Sequence, residues 1–473
     1  MHTSSTWRSS LPREFDHLPF HLYARKSPAT GEALPSLEML AANDIPEIMS
    51  SIEAGLGEWR QFDADRRAEI LASAATILRE RQQDDAHWLA VETGKSSQEA
   101  HAELNRAIET FDWFGNQSAI LNPRIDIQGG DYCELEAFPL GIALAIVPWN
   151  YPAVIGARKI GAMLLAGCAV IVKPSEIACS PLFSFKSALV SAGMPPSALS
   201  ILLGNGEEIV RALIKSNRIH AVSFTGSSIV GRKVSSLAGF HLLKCITELG
   251  GNAPVIILDD CNIEKTARAL VEYKFELAGQ SCNAPDRIYV PVHLNEQFTK
   301  ALLACIERSY SAPCTMSPMI NSASVDRMEA LVDNALACGA RVLAGGRRLS
   351  CDSNFFPPTL LTNVPPHASA MKEEVFGPIL SLFIYQTVDE AIELANDSQY
   401  GFASYVFGEN SATVKKIGRR LSTGYVMYNG LSGVHPALPV GGVRLSGSGL
   451  EGGEIGVLEF IRWRLSRYKT TLR

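Results

Sequence analysis

The feature that most constrains the fold is a regular alternation of apolar strands and helices between residues 141 and 258. Apolar runs at 141–147, 169–172 and 221–224 each stop at a polar or helix-breaking segment, and a helical pattern follows each of them. Strands that alternate with helices in this way form a parallel sheet with helices on both faces. The sequence therefore predicts an α/β fold built on a doubly wound parallel sheet.

Polar segments follow these three strands and a fourth apolar strand at 199–203. They are PWN (148–150), KPSE (173–176), GNG (204–206) and FTGS (224–227). Ligands of a parallel sheet bind beyond the carboxyl ends of its strands, so these segments form the candidate ligand site. The glycine pattern alone does not identify the ligand, because the turns of this region lack a full G-x-G-x-x-G fingerprint. A plain strand-to-helix turn explains them equally well.

The rest of the chain carries three further patterns. Residues 45–58 and 66–82 have apolar residues at helical spacing. A second β/α alternation runs from about residue 260 to about 445. The segment 458–470 alternates like a strand, and we expect it to pair with another region of the chain or with another subunit.

Composition excludes several classes of protein. The 473 residues carry a net charge of −6, which gives no basic footprint for nucleic acid and no polybasic membrane patch. The longest apolar run, at 160–172, is shorter than the roughly 18–20 residues of a membrane span. At roughly 100–200 residues per domain, about two to four domains are expected.

The N-terminus and the cysteines bear on location. The first twenty residues lack the apolar core of a secretory signal; their Ser, Thr and Arg content resembles a transit peptide, whereas Glu14 and Asp16 favour a loose arm. The ten cysteines form no C-x-x-C pair, which argues against a zinc site or a disulfide framework. No metal is expected, and a reducing, cytoplasmic location is.

One cysteine and one glutamate stand out as candidates for chemistry. Cys282 lies in a loop after a helical pattern, and Glu248 precedes a Gly-Gly turn. A nucleophilic thiol needs a base or a charge that stabilises its thiolate, and Glu248 could act as that base. The alternatives are an inert loop cysteine and a solvated acid at a strand end. No histidine lies near either residue in sequence, which disfavours a Cys–His pair.

A set of motifs in a fixed order identifies a family. From about residue 23 to its end, the chain resembles the aldehyde dehydrogenase superfamily, and most nearly the succinate-semialdehyde dehydrogenase group. The motifs are SPATGE near residue 30, ETGK (92–95), PWNYP (148–152), KPSE (173–176), FTGS (224–227), ELGG (248–251), GQSC (279–282), EEVFGP (373–378) and LPVGG to SGSG (438–449).

The resemblance implies an architecture. It comprises a Rossmann-like NAD-binding domain (1–120 and 140–249) and an α/β catalytic domain (250–446). A small β oligomerisation element (121–139 and 457–473) completes it. Members extend a C-terminal strand onto a neighbour's sheet, so the resemblance implies a homodimer or homotetramer.

The resemblance also implies an activity, the NAD(P)-dependent oxidation of an aldehyde to a carboxylic acid. Cys282 would attack the aldehyde, and the Asn150 side chain with the Cys282 backbone N–H would stabilise the oxyanion. Glu248 would activate the water that hydrolyses the resulting thioester. A non-catalytic relative would be free to lose one of these residues, so their joint presence argues against that alternative.

Cofactor positions carry over in the same way. A carboxylate at the adenosine ribose repels a 2′-phosphate, so Glu176 favours NAD over NADP. Many semialdehyde relatives have a small residue there, which makes Glu176 a departure. The residues implied to bind the cofactor are Pro148, Trp149, Lys173, Ser175, Glu176, Gly206, Phe224, Thr225, Gly226, Ser227, Leu249, Glu374 and Phe376.

Three positions bear on the substrate. Semialdehyde relatives grip a distal carboxylate with two arginines and a serine. Here Arg158 is kept, Glu276 replaces the second arginine, and the serine region contains His435. Glu276 may be read as pairing with Arg158, as facing the substrate, or as turned to solvent. We expect an amino or uncharged aldehyde as substrate, with succinate semialdehyde as the alternative.

Overall fold

The computed structural model describes residues 6–8, 20–122, 124–128, 131–310, 315–350, 353–431 and 435–469. Its strands are β1 (Thr6–Arg8), β2 (Phe20–Lys26), β3 (Ala33–Leu40), β4 (Arg124–Gln128), β5 (Asp131–Pro139), β6 (Ile142–Val147), β7 (Ala169–Pro174), β8 (Leu199–Ile201), β9 (Ala221–Thr225), β10 (Lys244–Glu248), β11 (Ala253–Ile257), β12 (Pro285–Pro291), β13 (Arg341–Ala344), β14 (Thr359–Thr362), β15 (Ile379–Tyr385), β16 (Ala403–Phe407), β17 (Tyr425–Tyr428), β18 (Gly447–Ser448) and β19 (Ile461–Lys469).

The α-helices of the same residues are α1 (Ile45–Trp59), α2 (Ala64–Thr93), α3 (Ser97–Phe114), α4 (Pro152–Ala166), α5 (Ser180–Ser191), α6 (Gly206–Lys215), α7 (Ser228–Phe240), α8 (Ile263–Phe275), α9 (Asn295–Tyr310), α10 (Ser322–Ala337), α11 (Ser369–Lys372), α12 (Val388–Asn396), α13 (Ser411–Gly418) and α14 (Gly453–Leu458). Within the described ranges, none of them is long and apolar enough to cross a membrane.

The first large sheet has the strand order β18-β10-β9-β6-β7-β8. Its pairs are parallel except for the pairing of β10 with β18. Helices α4 and α5 pack in the hydrophobic core on one face, and α1 and α6 pack in a separate cluster. The predicted α/β fold is therefore confirmed, and the carboxyl ends of β6, β7, β9 and β10 lie along one edge of the sheet.

The second large sheet has the order β13-β14-β15-β12-β11-β16-β17, with its own hydrophobic core. It contains the second β/α alternation expected from the sequence. Strand β18 returns from this half of the chain to the first sheet, where Ser448 lies opposite Thr247. The SGSG motif is thereby brought beside the carboxyl end of β10, which carries Glu248.

The C-terminal strand pairs within the same chain. Strand β19 lies antiparallel to β5 in a three-stranded sheet of order β19-β5-β4, with Ile461 opposite Pro139 and Lys469 opposite Asp131. Of the two pairings expected for this segment, the structure contains the one with another region of the chain. A further small sheet has the order β1-β3-β2. Most of the expected N-terminal arm, residues 1–5 and 9–19, lies outside the described residues.

Candidate active site

Cys282 lies where two cavities meet. A large cavity of about 1420 Å³ runs along the carboxyl ends of the first sheet and contains Cys282 in its lining. A small cavity of about 110 Å³ lies between α3, α4 and the loop after α8, and Cys282 lines it as well. A thiol in this position can meet one ligand from each side.

The loop before Cys282 has an unusual backbone. Leu277 and Ala278 are buried and adopt left-handed conformations, with φ of 46° and 53°. Such conformations cost free energy in non-glycine residues and persist where neighbouring contacts hold them. Here the Leu277 N–H donates to Glu99 on α3 (2.7 Å), and the Gln280 side chain donates to the carbonyls of Leu277 (2.9 Å) and Pro318 (3.1 Å). The loop that carries Cys282 is therefore fixed.

Glu248 is the nearest carboxylate to the thiol. The Cys282 Sγ donates to Glu248 Oε1 at 3.6 Å, and Thr225 donates to Glu248 Oε2 at 3.2 Å. The Gly-Gly turn after Glu248 permits this approach, since a Cβ at Gly251 would lie 2.1 Å from the Cys282 carbonyl oxygen. The structure thus brings together the two residues that sequence analysis singled out.

Burial makes the Glu248 carboxyl and the Cys282 thiol weaker acids than the same groups are in water. Burial, and next the negative charge of Glu451, raise the pKa of Glu248 to about 7. Burial also raises the pKa of the Cys282 thiol well above its usual value, and the negative charges of Glu248 and Glu374 add to this rise. The resting thiol is therefore protonated at neutral pH, with a carboxyl group poised between its acid and base forms beside it.

Asn150 is held by a buried ion pair. Its Nδ2 donates to the Gln280 carbonyl at 3.0 Å, which aims the amide at the Cys282 loop. The Lys95 ammonium donates to the Asn150 carbonyl and pairs with Glu103 at 2.7 Å. Glu103 also accepts the Ala153 N–H at 2.8 Å, at the start of α4. Lys95 of the ETGK motif thus fixes the loop that presents Asn150.

A buried polar network lies behind Glu248. On α4, where every residue except Val154 is buried, the Lys159 ammonium binds Glu451 and donates to Ser223 at 2.6 Å. Ser223 donates to Glu451 at 2.8 Å, and Thr225 bridges Glu451 (3.5 Å) and Glu248 (3.2 Å). A charged network in contact with the Glu248 carboxylate sets the electrostatic potential at that group.

Most of the residues expected to bind a cofactor line the large cavity. Leu249 is the exception, because its side chain packs under Gly231 of α7 in the core. Trp149 and Phe376 meet edge to face, with ring centroids 5.9 Å apart. Those that line the cavity are Pro148, Trp149, Lys173, Ser175, Glu176, Gly206, Phe224, Thr225, Gly226, Ser227, Glu374 and Phe376.

The large cavity has the groups that a dinucleotide needs. The N-termini of α6 and α7 open onto it, and the positive end of a helix dipole favours a phosphate. At one part of the cavity, Glu176 accepts from the Lys173 ammonium at 2.6 Å, a pair suited to ribose hydroxyls. At another, Glu374 accepts the Gly251 N–H at 3.1 Å, and burial raises its pKa to about 7. NAD(P) therefore fits this cavity.

Arg158 and His435 were both expected to contact the substrate, but only Arg158 lines the small cavity. Arg158 lines the small cavity and donates to the carbonyls of His435 and Leu438, both at 3.4 Å. His435 is exposed and outside the cavity lining, because its Nδ1 accepts the Ala437 N–H of its own turn at 3.2 Å. The structure thus places Arg158, but not the His435 side chain, in the lining of the small cavity.

Glu276 lines the small cavity and forms an ion pair with a residue other than Arg158. Its Oε1 lies 3.6 Å from Arg106 Nη2 on α3 and accepts from the Tyr151 hydroxyl at 3.2 Å. The interpretation that pairs Glu276 with Arg158 is thus replaced by a pair with Arg106. Glu276 is also not turned out to solvent, since it lines the cavity beside Cys282.

Sequence analysis missed several residues of the site: Lys95, Glu103, Arg106, Tyr151, Lys159, Tyr273, Tyr425 and Glu451. Lys95 lies in the ETGK motif, Tyr151 lies in the PWNYP motif, and Lys159 interrupts an apolar helical pattern. The sequence therefore contained a signal for each of these three residues. Arg106 sits among ordinary surface-like residues of α3, and its sequence context gave no signal.

Comparison with known proteins agrees with this geometry. The aldehyde dehydrogenase family matches residues 21–465. The aspartate-semialdehyde dehydrogenase (non-phosphorylating) of Halomonas elongata is 34% identical over 92% of this chain and 90% of its own length. The NADP(+) succinate-semialdehyde dehydrogenase GabD of Escherichia coli is 30% identical, over 92% of each chain. The crystal structure of succinate-semialdehyde dehydrogenase from Burkholderia pseudomallei superposes with a TM-score of 0.91 at 30% identity, over 95% of each chain. The chain belongs to the aldehyde dehydrogenase family, whose members are NAD(P)-dependent oxidoreductases acting on aldehydes.

Proposed function

We propose that this protein oxidises a short aldehyde to its carboxylic acid with NAD in preference to NADP, through a thioester on Cys282. The observation that carries the proposal is the position of Cys282. The thiol lies between the large and small cavities and contacts the Glu248 carboxylate at 3.6 Å. A cofactor and an aldehyde can therefore reach it from opposite sides.

Acylation begins with the thiol proton. Glu248 in its carboxylate form accepts this proton, and the thiolate attacks the aldehyde carbon from the small cavity. The oxyanion that forms meets the Asn150 amide and the Cys282 backbone N–H; losing one such donor typically costs ~10²–10³ in kcat. Lys173, Glu176 and Glu374 would hold NAD(P) in the large cavity, where it would supply the acceptor for the hydride of the former aldehyde carbon. The Cys282 thioester remains.

Deacylation uses the same carboxylate. Glu248 first releases the thiol proton to solvent. As a carboxylate again, it takes a proton from water, and the resulting hydroxide attacks the thioester carbon. Cys282 leaves as thiolate and is reprotonated. A pKa of about 7 suits this role, because the group can accept and release a proton near neutrality.

The cofactor preference rests on Glu176. Its carboxylate lies at the mouth of the large cavity, 2.6 Å from the Lys173 ammonium. A carboxylate can accept hydrogen bonds from both ribose hydroxyls, whereas a 2′-phosphate would meet its negative charge. The preference is a property proposed for this chain, since the E. coli relative carries NADP(+) in its name.

The substrate is proposed to be small and to carry charge at the end remote from the aldehyde. The small cavity, of about 110 Å³, contains Glu276, which supports an amino group on the substrate. It also contains Arg106 and Arg158, which favour a carboxylate, as in the succinate semialdehyde of two relatives' names. A purely uncharged substrate would leave all three groups without a partner from the ligand.

A direct assay tests the proposal. The protein is mixed with NAD or NADP and a panel of alkyl, amino and carboxylate-bearing aldehydes, and absorbance of the reduced cofactor is followed. We expect steady turnover with one acid formed per NADH. A non-catalytic family member would reduce no cofactor with any aldehyde, and that result would refute the proposed function.

A further inference from the structure

The small cavity contains opposite charges that face each other without a hydrogen bond. Arg106 Nη2 lies 3.6 Å from Glu276 Oε1, which is an ion-pair distance. Both Nε and Nη2 of Arg106 are buried and have no hydrogen-bond partner among the described residues. Although the Arg106 side chain as a whole is half-buried, leaving two of its buried N–H donors without a hydrogen bond is costly, so these donors are expected to serve a ligand.

Neighbouring residues add further polar and charged groups to the small cavity. The Tyr425 hydroxyl is buried and lines the same cavity. The Tyr151 hydroxyl donates to Glu276, and its ring lies 5.8 Å from the Arg106 guanidinium. Arg158 brings a second positive charge to the lining. The cavity is thus built around both signs of charge.

A substrate with one charge would satisfy only part of this lining. A carboxylate bound to Arg106 would come close to Glu276, and an ammonium bound to Glu276 would come close to Arg106. A ligand that carries both charges on one carbon would instead exchange partners with the pair. Its carboxylate would take the two free donors of Arg106, and its ammonium would take Glu276.

We propose that the preferred substrate is an α-amino acid whose side chain ends in an aldehyde. This inference rests on the proposed function and adds the substrate class. Arg106 and Glu276 are its specificity-determining residues: Arg106 binds the carboxylate through Nε and Nη2, and Glu276 binds the ammonium. The planar guanidinium suits two parallel hydrogen bonds to a carboxylate.

Four probes of matched length test the proposal. Butanal carries neither charge, 3-aminopropanal carries the ammonium, succinate semialdehyde carries the carboxylate, and aspartate 4-semialdehyde carries both. We expect kcat/KM for aspartate 4-semialdehyde to exceed that of each other probe at least tenfold, which is about 1.4 kcal/mol. A singly charged or uncharged probe that equals it overturns the inference while leaving the dehydrogenase function intact. Reduction of neither NAD nor NADP by any probe overturns both.

Two variants assign the charges. In Glu276→Gln the ratio of kcat/KM for aspartate 4-semialdehyde to that for succinate semialdehyde should fall at least tenfold. In Arg106→Gln the ratio for aspartate 4-semialdehyde to that for 3-aminopropanal should fall at least tenfold. The control Glu69→Gln removes the acid of the exposed Arg66–Glu69 pair (2.9 Å) and should change neither ratio. NAD binding and thermal unfolding verify that each variant is folded. Ratios within threefold of wild type in both pocket variants refute the assignment.

Discussion

The Cys282 thiol donates to the Glu248 carboxylate across 3.6 Å, so the nucleophile and its base are in contact before any ligand is bound. Burial raises the pKa of both groups. The thiol therefore stays protonated at rest, and ionised Glu248 promotes formation of the thiolate by accepting its proton. Replacing Cys282 and Glu248 one at a time therefore tests the separate role of each residue.

Replacing Cys282 by Ala should reduce aldehyde oxidation by at least about 10³-fold, because no other group can form the thioester. NAD binding should persist, since the large cavity has many other contacts. Steady-state NADH formation and NAD titration measure the two effects. Cys338→Ala, at the end of α10, is the matched control and should retain activity. Turnover by Cys282→Ala above a trace would show that another residue is the nucleophile.

Replacing Glu248 by Gln should slow deacylation most. An amide cannot take a proton from water, so the thioester should accumulate after a first turnover. Rapid mixing should then give a burst of NADH that approaches one per active site, slower than in wild type because the thiol has also lost its base, followed by a still slower steady rate. Loss of the burst together with turnover would place the role of Glu248 in thiol activation alone.

The pH profile should rise through about 7, because only the ionised form of Glu248 is a base and its pKa lies near that value. The negative charge of Glu451 raises this pKa, so Glu451→Gln should move the rising limb to lower pH. Lys159 lowers the same pKa, so Lys159→Met should move the limb to higher pH. Profiles of kcat against pH measure both shifts. Shifts of the same sign in the two variants would contradict the electrostatic account.

The motif residues of the site could be predicted because they match the ordered motifs of the aldehyde dehydrogenase superfamily, and the backbone pattern places them at strand ends and loops. Asn150 follows β6, Glu248 ends β10, and Cys282 follows a helix and a turn. The sheet topology then brings strand ends to one edge. Local sequence and the period of apolar residues were enough to place these elements.

Contacts between distant segments could not be predicted in the same way. Lys159 and Glu451 meet across 292 residues, and their pairing depends on how β18 returns to the first sheet. The direction of Glu276 depends on the left-handed Leu277 and Ala278, which residue propensities do not favour. Of the interpretations left open for Glu276, one paired it with Arg158, whereas its ion-pair partner in the structure is Arg106.

Replacing Glu176 by Ala should relax the cofactor preference. Wild type is expected to favour NAD over NADP at least tenfold in kcat/KM, equivalent to about 1.4 kcal/mol, because Glu176 would repel the 2′-phosphate. The variant should approach equal use of the two. Glu207→Ala, on the first turn of α6 and also in the large cavity, tests whether any acid there has this effect. Equal use of both cofactors by wild type would contradict the role of Glu176.

We predict that the chain associates with further copies of itself through its C-terminal strand. In the described part of its sheet, β19 pairs with β5 on one side and is an edge strand, and Leu465 on it is 67% exposed. An edge strand with an exposed apolar side chain favours pairing with a second copy of the chain. Light scattering at micromolar concentration should give a mass of two or four times 51.3 kDa. Leu465→Asp should lower this mass, whereas Leu349→Asp, 49% exposed and outside the strands, should not. A monomeric wild type would refute this account of the strand, because its edge would then be stable in water on its own.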